Sequence, residues 1–106
     1  MSELPELYRF MKQEYPELMS AYEGLGEAAK KAGPLDAKTA ALVKLALNMA
    51  AGLEGGSHSA VKKALSAGCT PEELRHVTLL ALTTLGFPTM MRARSWIEDL
   101  LKEGTA

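Results

Sequence analysis

One short segment of the sequence gathers the residue types that acid–base chemistry needs. Residues 52–59 form a glycine-rich stretch that carries a carboxylate, an imidazole and two hydroxyls. Glu54 and His58 are four residues apart, so on a helical turn they would share a face and form a carboxylate–imidazole pair. Such a pair suits proton transfer near neutral pH, because the carboxylate orients the ring and stabilises its charged form. We therefore predict that His58 is a catalytic acid and that Glu54 orients it.

The backbone of the same segment predicts an anion site. Free amide groups at the start of a helix, with the positive end of the helix dipole, favour carboxylates. We expect the amides of Gly55, Gly56 and Ser57 to bind a small organic acid. Further candidate ligands for that acid are Ser59, Arg92 and Arg94. A purely structural interpretation also fits, with Ser57 as a helix N-cap and the glycines allowing close packing.

The elements that must position these residues are predicted to be helices throughout. Ala, Leu, Met, Glu and Lys dominate the chain and no segment alternates with a period of two, which predicts an all-α fold of about six helices. Pro5 and Pro16 are expected to begin two short helices, the second of which ends at Gly33-Pro34. The other four are expected at residues 37–51, 57–67, 71–85 and 88–102, with Asp36 capping the first and a Thr70–Glu73 capping box starting the third.

Length and composition restrict the class of protein. The 106 residues predict one domain over 1–106, and 47% hydrophobic with 24% charged residues is unlike a disordered chain. A formal net charge of -1 predicts no nucleic-acid partner. The N-terminal sequence lacks the apolar core of a secretory signal and no stretch is long enough to cross a bilayer, so we expect a cytoplasmic protein with no membrane partner.

The single cysteine, Cys69, predicts neither an internal disulfide nor a thiolate zinc site. Glu54 and His58 alone offer only two metal ligands, so we predict no metal and no cofactor. Cys69 directly precedes the predicted cap at Thr70, where amide donors can activate a thiol. A reactive thiol at Cys69 therefore stays open as an alternative.

Two of the predicted helices carry more apolar surface than a small monomer can bury. Between residues 40 and 51 only Lys44 and Asn48 are polar, and between 77 and 85 the only polar residues are threonines. A homo-oligomer that covers these helices is the simpler expectation. The alternative is that the two N-terminal helices cover them.

Several punctuated motifs in order resemble one known family. They are Gly-Pro-Leu-Asp-Ala-Lys-Thr at 33–39, Ala-Ala-Gly-Leu-Glu-Gly at 50–55, the segment 61–74, and the helix from Leu79 followed by Gly-Phe-Pro-Thr at 86–89. Over about residues 33–101 the chain resembles the carboxymuconolactone decarboxylase and alkylhydroperoxidase D superfamily. The resemblance implies an all-helical fold whose subunits associate as trimers or hexamers through the apolar helices.

The resemblance also implies where this chain departs from the superfamily's peroxidase branch. That branch uses a Cys-x-x-Cys pair, a following histidine and a glutamate on the preceding helix, and their places here hold Leu53, Gly56, Ala60 and Ala41. The decarboxylase branch needs no cysteine pair, only a proton donor such as His58. We expect acid–base chemistry, such as decarboxylation, on a small organic acid or lactone. Two alternatives are a catalytically lapsed binding or assembly protein and a hydroperoxide reductase that uses Cys69.

Overall fold

A computed structural model describes the backbone of residues 3–105 and the side chains of residues 6–102. Residues 1, 2 and 106 lie outside the described part. The described chain contains six α-helices, which confirms the predicted all-α class. They are α1 (Glu3–Glu14), α2 (Pro16–Lys31), α3 (Ala37–Ala50), α4 (Glu54–Ser66), α5 (Pro71–Leu85) and α6 (Phe87–Thr105). No helix within the described residues is long and apolar enough to span a membrane.

The helices fall into two compact units, Met1–Leu35 and Asp36–Ala106. In the first unit α1 and α2 form a helical hairpin that turns at Tyr15. The Tyr8 hydroxyl donates a 2.6 Å hydrogen bond to Glu23, and Lys12 lies 3.1 Å from the same carboxylate. These contacts fasten the two helices of this unit to each other.

The second unit is a bundle of α3, α4, α5 and α6. The starts of α3 and α5 lie together and one groove follows both helices, so α3 is parallel to α5. Along α4 and α6 the contacts advance together, from Gly52–Arg92 to His58–Asp99, so these two helices are parallel as well. Lys38 and Glu73, 3.0 Å apart, join the first turns of the parallel pair α3 and α5. The core of this unit is aliphatic, and its fully covered side chains include Leu45, Val61, Ala64, Leu74 and Ile97.

Helix starts in this unit follow the capping residues that the sequence predicts. The Asp36 carboxylate accepts a 2.8 Å hydrogen bond from the Thr39 amide at the start of α3. At the start of α5 the Thr70 hydroxyl and the Glu73 carboxylate satisfy each other's backbone amides. Both caps supply hydrogen-bond acceptors for backbone amides that would otherwise lack a partner.

The start of α4 differs from the prediction. We expected this helix from Ser57, but it begins at Glu54 and includes both Gly55 and Gly56. Leu53 occupies the N-cap position with no side-chain hydrogen bond, and the Ser57 amide donates to the Leu53 carbonyl. The prediction of Ser57 as an N-cap is therefore wrong, because packing keeps two glycines helical where local propensity favours a turn.

Candidate functional site

Ser57 and His58 are buried side by side at the second turn of α4. Ser57 is 0% and His58 2% exposed. Neither the Ser57 hydroxyl nor either ring nitrogen of His58 has a hydrogen-bond partner among the described residues. Thr78, the other buried polar residue, is satisfied by its 2.6 Å bond to the Arg75 carbonyl. Ser57 and His58 therefore differ from an ordinary core polar residue.

The carboxylate closest to His58 comes from another helix. Asp99 of α6 places Oδ2 3.8 Å from His58 Nε2, the one ion-pair distance that this ring makes within residues 6–102. Glu54, the predicted partner, is exposed at the first position of α4. No pattern in the sequence predicts a role for Asp99, because its place depends on how α4 packs against α6.

Arg92 lies at the other end of the contact between α4 and α6. Its guanidinium nitrogen is 3.3 Å from the place where a Cβ on Gly52 would be, and Gly52 has a positive φ of 73°. The guanidinium also stacks on Trp96, 5.2 Å from the ring centre. No carboxylate among the described side chains forms an ion pair with it. A free cation therefore faces the turn that leads into α4.

Arg94 does not share this position. Its Nε donates a 2.6 Å hydrogen bond to Glu98, whose carboxylate also accepts bonds of 2.8 and 3.0 Å from Arg75. These hydrogen bonds, the one from Arg75 most of all, lower the pKa of Glu98 to about 2. Arg94, which we predicted as an anion ligand, therefore already pairs with an internal carboxylate through its Nε.

The backbone at the start of α4 keeps part of the predicted anion site. The first three amides of an α-helix have no intrahelical partner, and here they belong to Glu54, Gly55 and Gly56. The Ser57 amide is used within the helix, so it is not a free donor. Ser59 is exposed.

Asn48 on α3 leaves no room for a side chain at Gly56. A Cβ at this position would collide with Oδ1 of Asn48, and the Asn48 amide is itself held by a 2.8 Å hydrogen bond to the Lys44 carbonyl. Position 56 therefore admits a side chain only if Asn48 moves.

Cys69 is buried in the turn between α4 and α5, at the opposite end of α4 from Glu54. Its Sγ lies 3.6 Å from the Lys38 carbonyl, and burial raises the pKa of the thiol. A raised pKa leaves less thiolate, which is the nucleophilic form. No group of three potential metal ligands occurs within the described residues.

A second, very different surface lies between the parallel helices α3 and α5. There an open groove of about 580 Å³ separates the two helices. Its walls are mainly aliphatic and include Leu42, Val43, Leu47, Val77, Leu80 and Leu85. Leu47 is 62% and Leu80 63% exposed, so these helices keep the uncovered apolar surface that their sequences predict.

Comparison with known proteins identifies the family. The family model described as the carboxymuconolactone decarboxylase family matches residues 16–99. The chain belongs to that family. A carboxymuconolactone decarboxylase family protein from Legionella pneumophila, solved in its apo form, has a similar structure with a TM-score of 0.83 and 29% sequence identity. The similarity covers 95% of this chain and 90% of the Legionella chain. No curated protein matches this chain significantly.

Proposed function

We propose that this carboxymuconolactone decarboxylase family member binds a small organic acid at the start of α4 and exchanges a proton with it through His58. The observation that carries the proposal is the pair of buried, unpartnered polar side chains, Ser57 and His58. A buried polar atom without a partner costs about 1–3 kcal/mol, so most such atoms are hydrogen-bonded. Ser57 and His58 are unpartnered on the helix whose start faces the Arg92 guanidinium. They therefore fit a site whose hydrogen bonds a ligand completes.

The anion-binding part of the proposed site is Arg92 with the free amides of Glu54, Gly55 and Gly56. Arg92 has no carboxylate partner among the described residues, and its planar guanidinium can bind a carboxylate through two parallel hydrogen bonds. The positive end of the α4 dipole favours the same charge. Of the two predicted arginines, only Arg92 is free for this role.

The proposed reaction is a decarboxylation. As the carbon–carboxylate bond breaks, carbon dioxide leaves and the bonding electron pair stays on the substrate carbon as a carbanion or enolate. Protonated His58 donates its proton to that carbon, and the neutral ring regains a proton from water. No electrons are gained or lost overall, so the step needs neither a redox cofactor nor a thiol.

We expect release of carbon dioxide from a panel of small lactone carboxylic acids and β-keto acids. His58→Gln should lower kcat by about 100-fold or more, the usual contribution of a general acid. Arg92→Gln should weaken binding of the acid by roughly 10-fold, as for a lost charge-assisted hydrogen bond. Arg9→Gln on α1 is the matched control and should change neither. Turnover that is unchanged in His58→Gln would contradict the mechanism.

The burial of His58 favours a second candidate function, binding without catalysis. Its ring is 2% exposed, so a protein that binds the acid at Arg92 without turning it over also fits the geometry. The same panel separates the two, because saturable binding without carbon dioxide indicates a lapsed enzyme. Absence of both would contradict both candidates.

The hydroperoxide reductase alternative is the least supported. Leu53 and Gly56 offer no sulfur at the places of the superfamily's cysteine pair. Cys69 is buried, has a raised pKa and lies at the wrong end of α4. It therefore lacks the exposure and thiolate character that such chemistry needs.

Self-association through α3 and α5 is also proposed. The exposed leucines of the groove support it, because monomeric proteins rarely expose large continuous apolar patches. Light scattering at micromolar concentration should give a mass of at least a trimer, and a monomer mass would contradict the proposal.

A further inference from the structure

We infer that Asp99, and not Glu54, is the positioning residue of His58: its carboxylate faces Nε2, favours a proton on that nitrogen and leaves Nδ1 as the atom that exchanges the proton. The proton exchange rests on the proposed function, whereas the pairing of Asp99 with His58 does not.

Helix packing brings the two side chains together. Because α4 and α6 run parallel, the Arg92–Gly52 contact near the start of α4 is followed further along by the Asp99–His58 contact. Arg92 and Asp99 are seven residues apart on α6, which is about 10 Å along the helix axis. The anion-binding arginine and the Asp99–His58 pair therefore lie on one line between the two helices.

The distance fits a contact that tightens during function. Oδ2 of Asp99 is 3.8 Å from Nε2, which is within ion-pair range but longer than a hydrogen bond. The Asp99 side chain is 59% exposed, whereas the His58 side chain is only 3% exposed. Hydrogen bonds of acid–base groups are often long in unliganded sites and shorten when the substrate binds.

The pairing determines which nitrogen reacts. A carboxylate at Nε2 favours the ring form that carries a proton there, because a carboxylate only accepts hydrogen bonds. In the neutral ring Nδ1 is then the proton acceptor, and in the charged ring Nδ1–H is the donor.

Nitrogen-15 NMR of the full-length chain labelled at histidine tests the pairing. The chain has two histidines, and exposed His76 serves as an internal reference. In the wild type we expect a fixed Nε2–H form for neutral His58. Asp99→Ala should move its signals toward the averaged pattern of His76, and Asp99→Glu should restore them. Glu54→Ala removes the same charge from α4 and should leave them unchanged.

Two results would overturn the inference: His58 signals that do not move in Asp99→Ala, or signals that move in Glu54→Ala instead. Activity separates this inference from the proposed function. If the signals respond as expected while the wild type releases no carbon dioxide, the pairing stands and the proposed reaction fails. If carbon dioxide is released, Asp99→Ala should lower kcat by roughly 10-fold or more with little change in KM.

Discussion

The two parallel helix pairs of the second unit meet in opposite ways. On α4 and α6 small residues such as Ala60, Ala64 and Ala93 are buried in the core of the unit. Between α3 and α5 the contact opens into an aliphatic groove of about 580 Å³. Small side chains let two helices approach closely, whereas leucines that point outward leave surface for another partner.

What each contact leaves unsatisfied also differs. On α4 the buried side chains of Ser57 and His58 have no hydrogen-bond partner among the described residues. The α3–α5 groove leaves apolar surface exposed, as at Leu47 and Leu80. Unpartnered polar groups fit ligand chemistry, and exposed apolar surface fits association. The two proposed roles would thus fall on separate helix pairs.

The largest expected difference is between Ile97→Ala on α6 and Leu80→Ala on α5. Ile97 is fully buried, and its truncation should lower the free energy of unfolding by about 2–5 kcal/mol. Leu80 is 63% exposed, and its truncation in the monomer should cost about 0.5 kcal/mol or less. Urea unfolding measures both. A Leu80→Ala cost that grows with protein concentration would show that another copy covers the groove.

A smaller effect is expected at Gly56, where α4 meets α3. Gly56→Ala should be about 1 kcal/mol less favourable than Gly→Ala at an unobstructed helical position, because Asn48 must move and give up its bond to Lys44. Asn48→Ala in the same chain should remove that conflict. Gly24→Ala on α2 is the control, since nothing lies within 4 Å of its new methyl, and it should stabilise by about 0.5–1 kcal/mol. Thermal unfolding that shows equal gains at both glycines would contradict the close contact.

The smallest effect on stability is expected at the ion pairs between helices. One set joins α6 to α5, and another pair joins α3 to α5. Glu98→Gln should cost about 1 kcal/mol at pH 7, a value reduced for solvent screening because the paired side chains are 35–38% exposed. The lowered pKa of Glu98 stabilises the fold above about pH 4.5, and this contribution is lost as pH falls through about 2. Wild type and variant should therefore converge in acid.

Lys38→Gln is the matched change at the groove, where it removes one exposed pair with Glu73. It should cost less than Glu98→Gln, because water screens this exposed pair. Urea unfolding at several pH values measures both variants. A difference between Glu98→Gln and the wild type that persists at pH 2 would contradict the assigned role of Glu98.

The sequence predicts most of the helices because their starts are local. Asp36 and the Thr70–Glu73 box fix α3 and α5 through contacts within four residues, and both starts are confirmed. The start of α4 is missed by three residues, since it depends on the packing of Gly56 against Asn48. Local patterns do not contain that contact.

The site is only partly predictable for the same reason. His58 and Arg92 stand out by residue type, but the separation of Arg92 from Arg94 requires knowing that Glu98 accepts a hydrogen bond from Arg94. Asp99 lies 41 positions after His58 in the chain and meets it only through the parallel packing of α4 and α6. Spacing rules within one helix do not predict a contact between residues this far apart in the chain.

The contact between Gly56 and Asn48 restricts which chemistry position 56 can acquire. Any side chain there meets Oδ1 of Asn48, whose amide nitrogen donates to the Lys44 carbonyl. A reactive side chain introduced by a single substitution, such as Gly56→Cys, would therefore have to displace Asn48. A second change on α3, at position 48, would have to accompany it.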